Sequence, residues 1–437
     1  MIGKDSIVTL NYTMKNGRGE VLEDRRTTYR QGSSAISPLL QAQLEGLESG
    51  QTKRVILRKG QENADDDFTF DIVIESIRQA MQIHLLSGFL GSGKTTAIEQ
   101  ACRFLSKTGI PVAVISNDQG DKLVDGAFFE HLGIPARQVT NGCFCCNYND
   151  LDRCIGSLTR HDRPAGPPAI LFAESVGSCT DLVATVLRPL LEQYPGWHPT
   201  VTVFADANLL SEIIDGHTDF DPSVRYIYLK QLEEAQVVVV SKIDQGGDEK
   251  VIRDLMTEYY PDKTILYQNS FDSDHILRWL QTLEQLSPLS STLPSLNIDY
   301  DLYGAGEAQL AWLDQQLVIE SPTLNAQSAA LTLVTRLSKT SHPIGHLKCL
   351  IDGATKISFT STGTTDQIPI DPSHTPIHPA PSASLLINAR IQTTPALLTE
   401  LMADAIQSTE KDLNCTIRTL TASCFQPCHP RPTHRIP

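Results

Sequence analysis

The chain has 437 residues, 41% of them hydrophobic and 20% charged, enough apolar material for about three domains of roughly 150 residues each. Its net charge of −15, with no basic stripe to offset that field, argues against a nucleic-acid polymer as partner. No apolar run reaches the ~18 residues of a membrane-spanning helix, and the first residues lack a signal-peptide pattern, so a reducing cytoplasm is the expected compartment.

Residues 1–80 read as a small β-rich domain. Alternating strands are expected at 6–12, 52–57 and 68–77, with a turn at Asn16, Gly17 and Gly19 and one helix over 36–47. From 81 to 290 the rhythm becomes strand, loop, helix. Strands are expected from Ile83, Pro111, Ala169, Val201, Val237 and Thr264, and helices over 95–106, 151–158, 182–193, 249–259 and 274–286. That alternation predicts an α/β domain with a mostly parallel sheet. Residues 287–294 read as a linker. A third, α+β domain follows over 300–437. Strands are expected at 331–337, 346–351 and 384–391, a helix at 395–410, and a long proline-rich loop over 361–381.

Residues 88–95, GFLGSGKT, fit the GxxxxGK[ST] phosphate loop of a P-loop NTPase. Gly88, Gly91, Ser92 and Gly93 let backbone N–H groups curl around phosphate oxygens. Lys94 neutralises the phosphates, Thr95 reaches Mg²⁺, and Thr96 continues the helix whose N-terminus adds positive potential. After the strand at 237–240, Ser241, Lys242 and Asp244 form SKxD. An aspartate placed there accepts from both guanine N1–H and N2, a donor pair adenine lacks. Glu174 and Gly177 close another strand, where an outer-sphere Mg²⁺ carboxylate and a γ-phosphate-sensing glycine belong. Asp118 and Asp121 lie in a candidate switch loop, 117–121.

Cys143, Cys145 and Cys146 make a CxCC cluster. Such thiols are soft ligands for Zn²⁺, with a fourth position left for water, a carboxylate such as Asp118, or a partner's ligand. The other seven cysteines read as small buried hydrophobes. A second, looser metal set is offered by Cys424, Cys428, His429 and His434.

Together GFLGSGKTT, NDQG, GCFCC, ESVG and SKID resemble the CobW/HypB/UreG family of metallochaperone GTPases, the CobW branch in particular. The resemblance implies a GTPase using GTP and Mg²⁺. It would bind Zn²⁺ (or Co²⁺ or Ni²⁺) at CxCC and deliver it to a metal-dependent client apoprotein under nucleotide control, with a homodimer possible. In this reading Lys94, Asp118 and Glu174 carry the catalysis. Two positions depart from the family: Asp118 stands for its usual Glu, with a shorter reach, and Ser241 for its usual Asn, with a structural hydrogen bond weakened or lost. Residues 300–437 resemble a divergent CobW C-terminal domain. Residues 1–80 resemble a shortened FKBP domain of the SlyD type, through 8–24, 43–57 and 68–80. The acidic stretch 61–67 replaces that family's flap, so a docking role without isomerase activity is expected, with Tyr12 lining the remaining pocket. The alternatives are a nucleotide-gated folding chaperone or a peptidyl-prolyl isomerase, the cysteines being structural.

Overall fold

The computed structural model describes every residue except 4–5, 33–34, 62–63, 80, 120–123, 161–166, 195–196, 247, 287–294 and 361–377. The expected linker, Asp121 and most of the proline-rich loop lie outside the described residues. The chain forms two compact units, Met1–Gln82 with Leu191–His198, and Ile83–Leu190 with Pro199–Pro437.

In the first unit, β1 (Ser6–Lys15), β2 (Val21–Arg30), α1 (Pro38–Leu44), β3 (Thr52–Leu57) and β4 (Phe68–Gln79) build an antiparallel sheet of order β2-β1-β4-β3. Val8, Leu10, Leu44, Val55, Ile72 and Ile74 form its core. Strand β2 has no counterpart among the expected strands. It is an edge strand, exposed along most of its length, so it never shows the alternation of a half-buried strand. Tyr12 donates to Glu23 (2.7 Å) and its ring meets Phe70 at 6.1 Å.

The second unit opens with β5 (Gln82–Ser87), α2 (Lys94–Lys107), β6 (Val112–Asn117), α3 (Val124–His131), β7 (Ala136–Val139), α4 (Tyr148–Thr159) and β8 (Ile170–Glu174). A π-helical turn, Val183–Leu187, leads into α5 (Arg188–Gln193) and β9 (His198–Asp206). Then come α6 (Ala207–Asp215), α7 (Pro222–Glu234), β10 (Val237–Ser241), α8 (Glu249–Tyr259), β11 (Thr264–Gln268) and α9 (Ser273–Gln285). The seven strands pair in the order β11-β10-β9-β5-β8-β6-β7, and β9-β10-β11 and β8-β6-β7 are parallel. Four consecutive buried valines make β10, the continuous apolar run of a strand covered on both faces. The helices α6 and α7 escaped the periodicity reading but have clear starts. Asp206 and Asp221 cap them, and Pro222 occupies the first turn of α7.

The same unit continues through α10 (Tyr300–Ala308), β12 (Leu310–Glu320), α11 (Ala326–Ser338), β13 (Ile344–Ile351), β14 (Thr355–Phe359), β15 (Ser382–Gln392), α12 (Pro395–Leu413) and β16 (Thr416–Phe425). The sheet is antiparallel, order β14-β13-β15-β12-β16. The strand expected at 331–337 is a correction: it lies inside α11. Locally LTLVTRL alternates, but Ala326, Ala329, Ala330, Leu333, Val334 and Leu337 are the buried positions, spaced three and four apart as on one helix face. Leu385, Ile387, Ala389 and Ile391 of β15, with Leu347, Cys349 and Ile351 of β13, join this core. Successive strand residues face opposite sides, so Lys348, Asn388 and Arg390 lie on the other face, toward α3 and the switch loop.

Candidate nucleotide and metal site

The phosphate loop runs from β5 to α2. Gly93 begins α2 with φ +86°, a backbone state that disfavours any side chain. Lys94 folds back into the loop, its Nζ donating to the Gly88 (2.5 Å) and Phe89 (3.2 Å) carbonyls. Burial pulls its ammonium down to about 8. Ser92 is buried, and Gly91 and Thr96 are partly so. Thr95 donates to Glu174 Oε1 at 2.8 Å and lies 3.3 Å from Asp125 Oδ2. Glu174 Oε2 is buried with no hydrogen-bond partner among the described residues. Thr95, Glu174 and Asp125 thus offer converging hard oxygens, one of them unsatisfied, which fits Mg²⁺. Gly177 packs against Leu90, leaving no room for a Cβ.

At the other edge, Ser241 Oγ donates to the Ser92 carbonyl at 2.6 Å. The serine therefore does tie the SKxD loop to the phosphate loop, where the sequence suggested a weakened bond. Lys242 pairs with Asp206 (2.7 Å), and Asp244 is exposed.

The switch side differs from expectation. Asp118 pairs with Arg390 at 2.7 Å and accepts from Gln119 N; it does not join the sulfur trio. Arg390 is fully buried, binds Asp314 at 2.8 Å and lies 4.1 Å over the Trp312 ring. Val124 N donates to Asn388. Asp125 receives Lys348 (2.5 Å) and Lys356 (2.8 Å). Asn117 donates to the Val139 and Gly142 carbonyls and accepts from Phe144 N, stitching the end of β6 to the cysteine loop.

The sulfurs that gather within 4.8 Å of one another are those of Cys143, Cys145 and Cys179, all buried. Cys143 and Cys145 are 2.8 Å apart, and Cys146 sits 3.8 Å from Cys145 outside that trio. Hydrogen bonds from Cys143 and Cys145 pull Cys179 down to about 6, while bonds with Cys143, Cys146 and Cys179 hold Cys145 well above the usual thiol range. A cleft of about 470 Å³ opens beside them, lined by Cys143, Cys146, Gln119, Glu307 and Cys428 among others. The chain's end is laid over this loop. Thr433 N donates to Cys145 O and its hydroxyl to Cys146 O, and Arg431 N donates to Cys146 Sγ.

Residues 82–266 match the family model for the CobW/HypB/UreG nucleotide-binding domain. The chain is similar to the zinc chaperone YeiR of Escherichia coli (strain K12), 26% identical over 168 residues, 38% of this chain and 48% of that one. The zinc chaperone YjiA of the same organism is 28% identical over 178 residues, 38% of this chain and 50% of that one. The chain thus spans about half the length of these relatives. The solved structure of HypB from Helicobacter pylori in complex with nickel covers 48% of this chain and 92% of its own, at 18% identity and a TM-score of 0.37.

Within the matched residues 82–266, sequence reading missed Cys179, Asp125 and Asn117 as a bridge, and beyond them it missed Glu307. Cys179 stands alone in the sequence, and only the fold of the 174–179 loop brings it to the CxCC turn. Glu307 comes from α10, where Ser178 (2.5 Å) and Gln119 (3.3 Å) donate to it and burial lifts its carboxyl well above the usual range. The looser Cys/His set disperses. Cys424 donates to Pro395 O, His429 meets Asp301, and His434 lies edge-on to Tyr148.

The strap across the cysteine loop yields a prediction. Thr433→Pro removes both the N–H and the hydroxyl that hold Cys145 and Cys146. At about 1 kcal/mol per bond, about 2 kcal/mol in all, Cys146 should alkylate up to about thirtyfold faster with iodoacetamide. Peptide-resolved mass spectrometry reads this against exposed Cys428 as internal reference; an unchanged ratio would show that the strap does not guard the thiol.

Proposed function

We propose that the chain is a cytoplasmic GTP-binding and GTP-hydrolysing metallochaperone that holds a thiophilic metal, zinc first, on Cys143, Cys145 and Cys179 and yields it to a client apoprotein. GTP·Mg²⁺ would be held by residues 88–96, Glu174 and the SKxD loop, with Lys94 on the phosphates and Asp244 on the guanine. Mg²⁺ supplies charge neutralisation at the phosphates; the chain orients Thr95, excludes water around Lys94 and positions the switch.

One observation carries this reading. The loop that begins with Glu174, bonded to the phosphate-loop Thr95, carries Cys179 of the sulfur trio five residues later. A change in the bond at one end is transmitted to the sulfur at the other within a single short segment. Asn117 provides a second tie from the switch strand to Gly142 and Phe144. The zinc chaperones to which the chain is similar support the choice of metal.

The test is a zinc titration against a chromophoric competitor, with and without a non-hydrolysable GTP analogue. Zinc affinity should differ between the two by a factor of roughly 5–150, the usual span of coupled sites. Identical affinities sink the reading. Asn117→Ala cuts both bonds of the second tie, along with the bond to the Val139 carbonyl, and the ratio should shrink toward one while nucleotide affinity holds.

The full burial of the trio favours one competing reading, a nucleotide-gated folding chaperone with structural cysteines. Metal analysis of the purified chain with and without a GTP analogue separates the two, because structural cysteines give no nucleotide-linked metal stoichiometry.

A further inference from the structure

The oxygens read above as Mg²⁺ ligands already have a cation on them. Lys348 of β13 places its Nζ 2.5 Å from Asp125 Oδ2 and 3.3 Å from Thr95 Oγ1. Its side chain is largely buried. Lys356 of β14 takes the other oxygen of Asp125 at 2.8 Å. The same hairpin lies directly on the phosphate loop. A Cβ added at Gly91 would come 2.0 Å from Thr360 Cγ2 and 2.9 Å from the Gly345 carbonyl.

An ammonium hydrogen-bonded to a carboxylate and a threonine hydroxyl neutralises the same charge that a divalent ion would. The two cannot occupy one set of oxygens together, since like charges in a buried site repel strongly. We propose that Lys348 is an internal cation that competes with Mg²⁺ for Thr95 and Asp125, so that loading the metal–nucleotide complex releases the β13–β14 hairpin from the phosphate loop. This rests on reading Thr95, Asp125 and Glu174 as divalent-cation ligands. It makes the C-terminal sheet a sensor of the nucleotide, not a passive neighbour.

Lys348→Met is a usable probe because Asp125 keeps Lys356 as a partner. The full chain is loaded with GDP and titrated with Mn²⁺, and free Mn²⁺ is read by electron paramagnetic resonance. Removing a competitor that leaves about a tenth of molecules competent lowers the Mn²⁺ half-saturation concentration about tenfold. Lys348→Arg keeps the charge and should stay near the parent value. In the unmodified chain, Mg²⁺·GDP should raise amide exchange over 344–359 relative to GDP alone.

An unchanged or higher half-saturation in Lys348→Met, or flat exchange over 344–359, overturns the competition. Weaker GDP binding without metal in that variant also overturns it, since Lys348 would then act on phosphate. Thr95→Ala separates this from failure of the underlying reading. If Thr95→Ala leaves Mn²⁺ binding intact, the ligand assignment itself falls, and the proposal with it.

Discussion

Arg390→Met is expected to destabilise the second unit by about 3–5 kcal/mol, the cost of stripping one partner from buried charges. The guanidinium is fully buried and serves Asp118 and Asp314 at once, with further bonds to the Leu313 and Ala389 carbonyls. Methionine fills much of the volume over Trp312 but leaves two carboxylates without their cation. Burial already raises the Asp314 carboxyl, and Arg390 is what opposes that. The urea midpoint, followed by intrinsic tryptophan fluorescence, measures the loss. Adding Asp118→Asn and Asp314→Asn should recover most of it, because the penalty lies in the orphaned charges. A loss below about 1 kcal/mol would mean that water reaches these carboxylates and that the switch is not anchored here.

Cys179→Ser is expected to weaken zinc binding by roughly 100–1000-fold, one ligand's share of the total for a thiolate-rich site. Cys146→Ser should cost less than about tenfold, as for a group next to the ligands. The two variants set the spatial trio of Cys143, Cys145 and Cys179 against the contiguous CxCC. If Cys146→Ser proves the more damaging in the same competitor titration, the contiguous cluster holds the metal and the spatial trio does not.

That contrast shows what the sequence made legible. The phosphate loop, the SKxD loop and the strands around them could be read because their chemistry lies in consecutive residues, and β5, β10, β11 and α8 fall where the pattern puts them. The α11 error arose because LTLVTRL alternates over seven residues, while its helical stripe shows only across Ala326–Ser338. Asp118 is a different case. Its residue type suited a metal, but its partner Arg390 is 272 positions away, and no local pattern encodes that pairing. Cys179 and Glu307 were invisible for the same reason.

The separations have a kinetic consequence. Val124 finds Asn388, and Asp125 finds Lys348, across 264 and 223 positions. Contacts of such high order form late, after the entropy of closing long stretches of chain has been met. The central sheet can condense early around its valines, while the 117–125 stretch gains its counter-ions only when the last antiparallel sheet docks. Refolding of the full chain should therefore show protection of the phosphate loop and the central strands preceding protection of α3, and the slow step should belong to the docking of β13 and β15.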